Sequence, residues 1–74
     1  MAVTAFAITP CLDGRTFIWK VGERCSGARH HDYREILEWS RENGFMTFQE
    51  QFMVEAVIVC ANDDDEVLFR MTWL

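Results

Sequence analysis

Cys25, His30, His31 and Asp32 are the residues of this 74-residue chain whose types could do chemistry together. A thiol near an imidazole is the pairing of a cysteine nucleophile with its base, and the same cluster offers ligands for zinc. The spacing supports neither use. There is no Cys-x-x-Cys pair, Cys11 and Cys60 lie far away in sequence, and adjacent histidines at a helix start point in different directions. A loop and helix terminus with no metal and no reaction is the expectation, and a thiol or metal site at Cys25, His30 and His31 is the alternative. Asp63-Asp64-Asp65-Glu66 concentrates carboxylates where a divalent cation could bind, but lacks the alternating ligands and the Gly of an EF-hand loop. A solvated turn that keeps a hydrophobic strand edge soluble accounts for it. Gly-rich nucleotide loops and a Ser in an elbow motif are absent from the sequence. No catalytic residue, cofactor or metal is expected.

Phe17, Trp19, Lys20, Arg15 and Arg24 resemble a stacking platform beside cations, as single-stranded nucleic-acid binders use. Charge opposes that use. Residues 1–41 carry six basic and five acidic side chains, net +1, whereas residues 42–74 carry seven acids against Arg70 alone, net −6. Affinity for a polyanion rests mainly on phosphate contacts, which a −6 half would repel, so no direct nucleic-acid partner is expected. Six of the seven cations are Arg, a residue suited to planar paired contacts.

These side chains must be held by a small domain. A chain of this length buries only about 60% of the surface its unfolded form exposes. Half of its residues are apolar and 14% are aromatic, so some aromatic surface must lie near solvent. Three widely spaced cysteines do not make a disulfide framework. Met1 to Thr9 lacks the basic start of a signal peptide, and no run approaches the ~20 apolar residues of a membrane span. A cytoplasmic protein with reduced thiols and no membrane contact is the expectation.

No repeat, low-complexity tract or linker divides the chain, so residues 1–74 read as one α+β domain. Val3 to Thr9 and Thr16 to Val21 read as strands joined by Leu12-Asp13-Gly14-Arg15, with Phe17, Trp19 and Val21 on one face and Ile18 on the other. A helix follows from Asp32 to Asn43, with Asp32 and Glu35 matching a capping box and Tyr33, Ile36, Leu37 and Ser40 on one stripe. Gly44 suits the left-handed position after its end, and Phe45 the accompanying apolar contact. Residues 46–56 fit a helix capped at Thr47 or a strand, and the alternation of Phe52, Val54, Ala56, Ile58 and Cys60 favours the strand. Asn62-Asp63-Asp64-Asp65 then reads as a polar turn into a last strand, Val67 to Leu74. The expected order is ββαββ, a four-stranded antiparallel sheet with one helix packed on one face.

Such a sheet is wider than one helix, and its strands are apolar on both faces. The second face needs a cover, either another subunit or a different protein. The leading expectation is therefore a non-enzymatic protein-binding module. It would use an apolar sheet face or a patch centred on Trp39, at the margin of the helix stripe beside Glu35 and Glu42, together with the C-terminal acids Asp63, Asp64, Asp65 and Glu66. Carboxylates in that number suit a partner with a basic, nucleic-acid-binding surface. In size and acidity the chain resembles small phage-encoded inhibitors such as anti-CRISPR proteins, and antitoxins or immunity proteins, a likeness that implies blockade of such a partner. A homodimeric structural domain whose open faces cover each other is the other non-enzymatic reading.

Overall fold

The computed structural model describes residues 3–23, 28–49 and 55–74. Its elements run β1 (Thr4–Pro10), β2 (Thr16–Lys20), β3 (Ala28–Arg29), α1 (Tyr33–Glu42), β4 (Met46–Gln49), β5 (Ala56–Cys60) and α2 (Asp63–Trp73). The architecture is α+β: an antiparallel sheet of four longer strands, extended by the two-residue β3, with two helices.

Turn chemistry sets the first hairpin. Gly14 takes φ +87°, which a Cβ would oppose, and the Asp13 carboxylate accepts from the Arg15 amide at 3.1 Å and from Arg15 Nε at 2.7 Å. The resulting register pairs Ile8 with Ile18 and Ala7 with Trp19. On its other side β1 pairs with β5, Phe6 opposite Ile58 and Ile8 opposite Ala56, and β4 pairs with β5, giving the strand order β3-β2-β1-β5-β4.

Helix α1 is capped by Asp32 and ends at Asn43-Gly44 as its sequence predicts, although the cap bonds the Arg34 amide and not that of Glu35. The Asp32 side chain accepts from the Arg34 amide at 3.3 Å, and Ile36, Leu37 and Ser40 are buried. The Ser40 hydroxyl donates to the Ile36 carbonyl at 2.8 Å, which satisfies it inside the core. After the Asn43 cap, Gly44 at φ +78° lets its amide reach the Arg41 carbonyl (3.1 Å) and the Phe45 amide reach the Ser40 carbonyl (2.9 Å). This is the Schellman arrangement, and Phe45 folds back against Trp39 with ring centroids 5.4 Å apart.

The C-terminal segment corrects the sequence expectation. Residues 63–73 are a helix, so there is no second hairpin to a strand at 67–74; β5 instead pairs with β4, and the ββαββ order with a single helix does not hold. Asn62 caps α2, its side chain accepting from the Asp65 amide at 2.9 Å, and Asp63, Asp64, Asp65 and Glu66 fill the first turn. Four carboxylates there face the partial positive charge of a helix N-terminus, which a hairpin turn would not provide. Alternation at 56–60 does hold: Ala56, Ile58 and Cys60 all point into the core. Of the strand expected through 46–56, Met46–Gln49 is present as β4, and residues 50–54 lie outside the described residues.

Both helices lie on the same face of the sheet. Phe6, Ile8, Ile18, Ala56, Ile58 and Cys60 from the strands form one core with Ile36 and Leu37 of α1, Phe45, and Phe69 and Trp73 of α2. Two helices of about 10 Å diameter match four strands spaced about 4.8 Å apart, so this face is closed. Among the described residues no helix covers the opposite face.

Candidate interaction surface

Alternation along a strand sends every second side chain to the face away from the helices. On β1 these are Ala5, Ala7 and Thr9; on β2, Phe17 and Trp19; on β4, Met46 and Phe48; on β5, Val57 and Val59, as the cross-strand registers require. None is ionisable. Ala7 is covered by its neighbours at 1% exposure, while Phe17, Met46 and Phe48 are 36%, 61% and 56% exposed. Val3 and Val21 extend the patch at the strand ends, both exposed. The outer strands β2 and β4 thus carry the large side chains, and the inner pair β1 and β5 the small ones.

The residues expected to bind a partner lie elsewhere. Glu35 and Glu42 are exposed on α1, Asp63 and Asp64 are exposed on α2, and Asp65 and Glu66 are half-buried there. All belong to helices on the far side of the sheet from the apolar face. Glu66 is tied down: Arg70 Nε donates to it at 3.0 Å, and the hydrogen bond from the Thr4 hydroxyl, ahead of that from Arg70, holds its carboxyl below its ordinary value. Trp39 is partly buried at the margin of the core. Its ring packs edge-on to Trp73 (5.7 Å) and Phe69 (6.3 Å) and tilts against Phe45, so it closes the margin of the core.

Of the chemical cluster, only the two histidines and Asp32 are among the described residues. His30 is exposed, and His31 turns its ring against Trp73 with centroids 5.1 Å apart; Cys25 lies outside the described residues. Among the described residues no three His, Cys, Asp or Glu side chains converge as a metal site. Cys60 is fully buried, and burial, reinforced by the Asp65 and Glu66 carboxylates, pushes its thiol up to about 11, which disfavours the nucleophilic thiolate. A groove of about 620 Å³ between α1 and the end of β1 is lined by Tyr33, Arg34, Leu37, Glu38, Arg41 and Gln49 among others. Charges of both signs alternate along it, and Gln49 Nε2 donates to the Tyr33 hydroxyl at 2.9 Å, closing one end. No helix of the described residues is long and apolar enough to cross a membrane.

Alternation with Ile18 puts Phe17 and Trp19 on one face, and the structure makes that face the open one, with Phe17 exposed and Trp19 half-buried. Met46 and Phe48 were missed, although Thr47 between them gives the same period of two. Comparison of the chain with protein-family models, curated proteins and solved structures finds no match.

Proposed function

We propose that this chain is a non-enzymatic protein-binding module whose recognition surface is the open sheet face of Phe17, Trp19, Met46, Phe48, Val57 and Val59. The observation that carries this reading is the exposure of Met46 and Phe48 on β4 and of Phe17 on β2, large apolar side chains on the two outer strands of one face to which these strands send no ionisable side chain. Exposed apolar surface of this kind marks interaction sites on folded proteins. Reaction chemistry has less support, since the buried Cys60 thiol is held protonated and His31 is engaged with Trp73.

A photo-crosslinking side chain placed at position 48, and in a second variant at position 38 on the helix side, tests it in the native cell. Adducts at position 48 and not at 38 are expected. Adducts from 38 alone would refute the sheet-face reading. They would favour the other use of the molecule, blockade of a basic, nucleic-acid-binding partner by the carboxylates of the helix side, for which the exposure of Glu35, Glu42, Asp63 and Asp64 is the supporting observation.

A further inference from the structure

We infer that the open sheet face is covered by the same face of a second copy, giving a two-fold dimer of sheet against sheet; the inference rests on the sheet-face reading above and names its occupant. Three observations select a second copy.

The first is charge. The chain carries −5, so two copies repel unless their carboxylates are kept apart. On β1, β2, β4 and β5 no ionisable side chain points to the open face, Glu55 lies on the same parity only at its rim, one residue before β5, and the acidic helices lie on the opposite side. Sheets packed face to face sit about 10 Å apart, and each helix layer lies about 10 Å further out, so the helix layers of the two copies stand roughly 30 Å apart, well beyond a Debye length of about 8 Å at physiological salt. A partner with a basic surface would instead have to strip water from its cations against strands that offer them no carboxylate, Glu55 standing only at the rim.

The second is layout. The four longer strands run β2-β1-β5-β4, with large side chains on the outer pair and small ones on the inner pair. A two-fold axis along the strands, between β1 and β5, sets Trp19 of one copy against Phe48 of the other and Val21 against Met46, and does so twice, with Phe17 one row further along β2. A Trp ring against a Phe ring is a favourable contact. The inner positions need little filling, because Ala7 is already covered within its own sheet.

The third is area. With Val3 and Val21 at the ends, the exposed fractions of these side chains, taken on residues of roughly 150 to 200 Å² each, leave on the order of 600 Å² open per copy. Two such faces exceed the ~1,000 Å² that separates specific interfaces from incidental ones. The other exposed apolar stripe, Val67, Leu68 and Met71 on α2 with the capping Leu74, is a single row about two turns long and is bordered by Asp63 and Asp64, so pairing it would bring the acids of two copies together.

Sedimentation equilibrium on the full chain is the test. A mass twice 8.7 kDa at tens of micromolar, falling to 8.7 kDa on dilution, is expected. Phe48→Asp and Phe17→Asp should each weaken association by about 30-fold or more while Met71→Asp leaves it unchanged. Should either sheet variant lose its fold, isotope-filtered NOEs in a mixed labelled and unlabelled sample of the unaltered protein give the same answer, with contacts expected between Trp19 of one copy and Phe48 of the other and between Val21 and Met46. A mass of 8.7 kDa at every concentration, or a dimer dissolved by Met71→Asp with NOEs from Val67 and Met71, would overturn the inference. The underlying reading fails separately. If the protein is monomeric yet the crosslinker at position 48 captures a foreign protein, only the second copy is wrong; if position 48 captures nothing while 38 does, the face itself is not the binding surface.

Discussion

The rings of Phe6 and Phe69 stack with centroids 4.6 Å apart and planes inclined by 23°, and the Arg70 guanidinium lies 5.3 Å from the centroid of the same Phe6 ring. Phe6 is on the central strand and Phe69 on the last helix, so one contact ties the C-terminus to the middle of the sheet. Both side chains are wholly buried. Phe69→Ala is expected to cost about 3 to 5 kcal/mol, the range for deleting a buried aromatic, because strand, helix and Phe45 all lose a partner. Urea unfolding followed by circular dichroism measures it; a loss below about 1 kcal/mol would mean that α2 contributes little to the closed face.

Gly44 is expected to be the least replaceable glycine for α1. At φ +78° it sits where side chains are disfavoured, yet a Cβ there would meet nothing within 4 Å, so a substitution costs backbone strain and no clash. Gly44→Ala should lower stability by about 1 kcal/mol, and Gly44→Asn by less, since Asn tolerates the left-handed region. Equal losses for Ala and Asn would point to a cause other than φ.

What could be read from residues alone follows the range of the interactions that decide it. The hairpin at Asp13-Gly14 and the α1 terminus at Gly44 depend on two or three neighbouring residues, and both stand as the sequence indicates. The parity of Ile18 against Phe17 and Trp19 is equally local, and so the second apolar face was foreseeable. Helix α2 was not, because Val67, Phe69, Met71 and Trp73 satisfy a period of two while Phe69 and Trp73 also satisfy i, i+4, and the buried pair decides only once a core exists to receive it. Asn62 with Asp65 three residues on was the available signal. Trp39 stands partly buried at the core margin, as its place on the helix stripe indicates, and only its contacts with Trp73 and Phe69 are illegible, because those residues arrive on α2.

Cys60 gives an alkaline signature. Its thiol is raised from the ordinary 9.0 to about 11, by burial first and the Asp65 and Glu66 carboxylates next, with Arg70 opposing. A raised pKa means that the folded state holds its proton where the unfolded chain has lost it, so this stabilisation is complete below about pH 9 and is lost as pH rises through about 11. Cys60→Ala should flatten that part of the stability profile, and thiol reagents at neutral pH should modify the half-buried Cys11 well before Cys60. Rapid labelling of Cys60 in the folded protein would contradict its placement against α2.

Glu66 gives the acidic counterpart. Its carboxyl is held below the ordinary 4.5 by the Thr4 hydroxyl and then Arg70, so the stabilisation is present above that value and disappears as pH falls through the lower pKa of the folded state. Glu66→Gln should remove this share of acid sensitivity, and Thr4→Val should remove the larger part of it. Denaturation midpoints taken from about pH 6 to about pH 3 compare the three proteins; parallel curves would show that Glu66 titrates alike in both states.

The carboxylates of α2 allow the structural and the partner-binding accounts of the acidic half to be separated. Asn62 caps the helix through the Asp65 amide, and Asp63 and Asp64 are exposed in the first turn. Asn62→Ala should therefore cost about 1 kcal/mol at any salt concentration, since it removes a hydrogen bond acceptor. Changing Asp63, Asp64 and Asp65 together to Asn should cost several tenths of a kcal/mol per residue at low ionic strength, and the loss should shrink as salt screens the helix dipole. Neither change touches the open sheet face, so self-association measured by sedimentation should hold its strength or tighten slightly as net charge falls. Association that weakens in the triple variant, with the fold intact, would place the acids in the interface and move the recognition surface to the helix side. Stability indifferent to the triple change would mean that these carboxylates do not serve the helix, leaving them available to a basic partner.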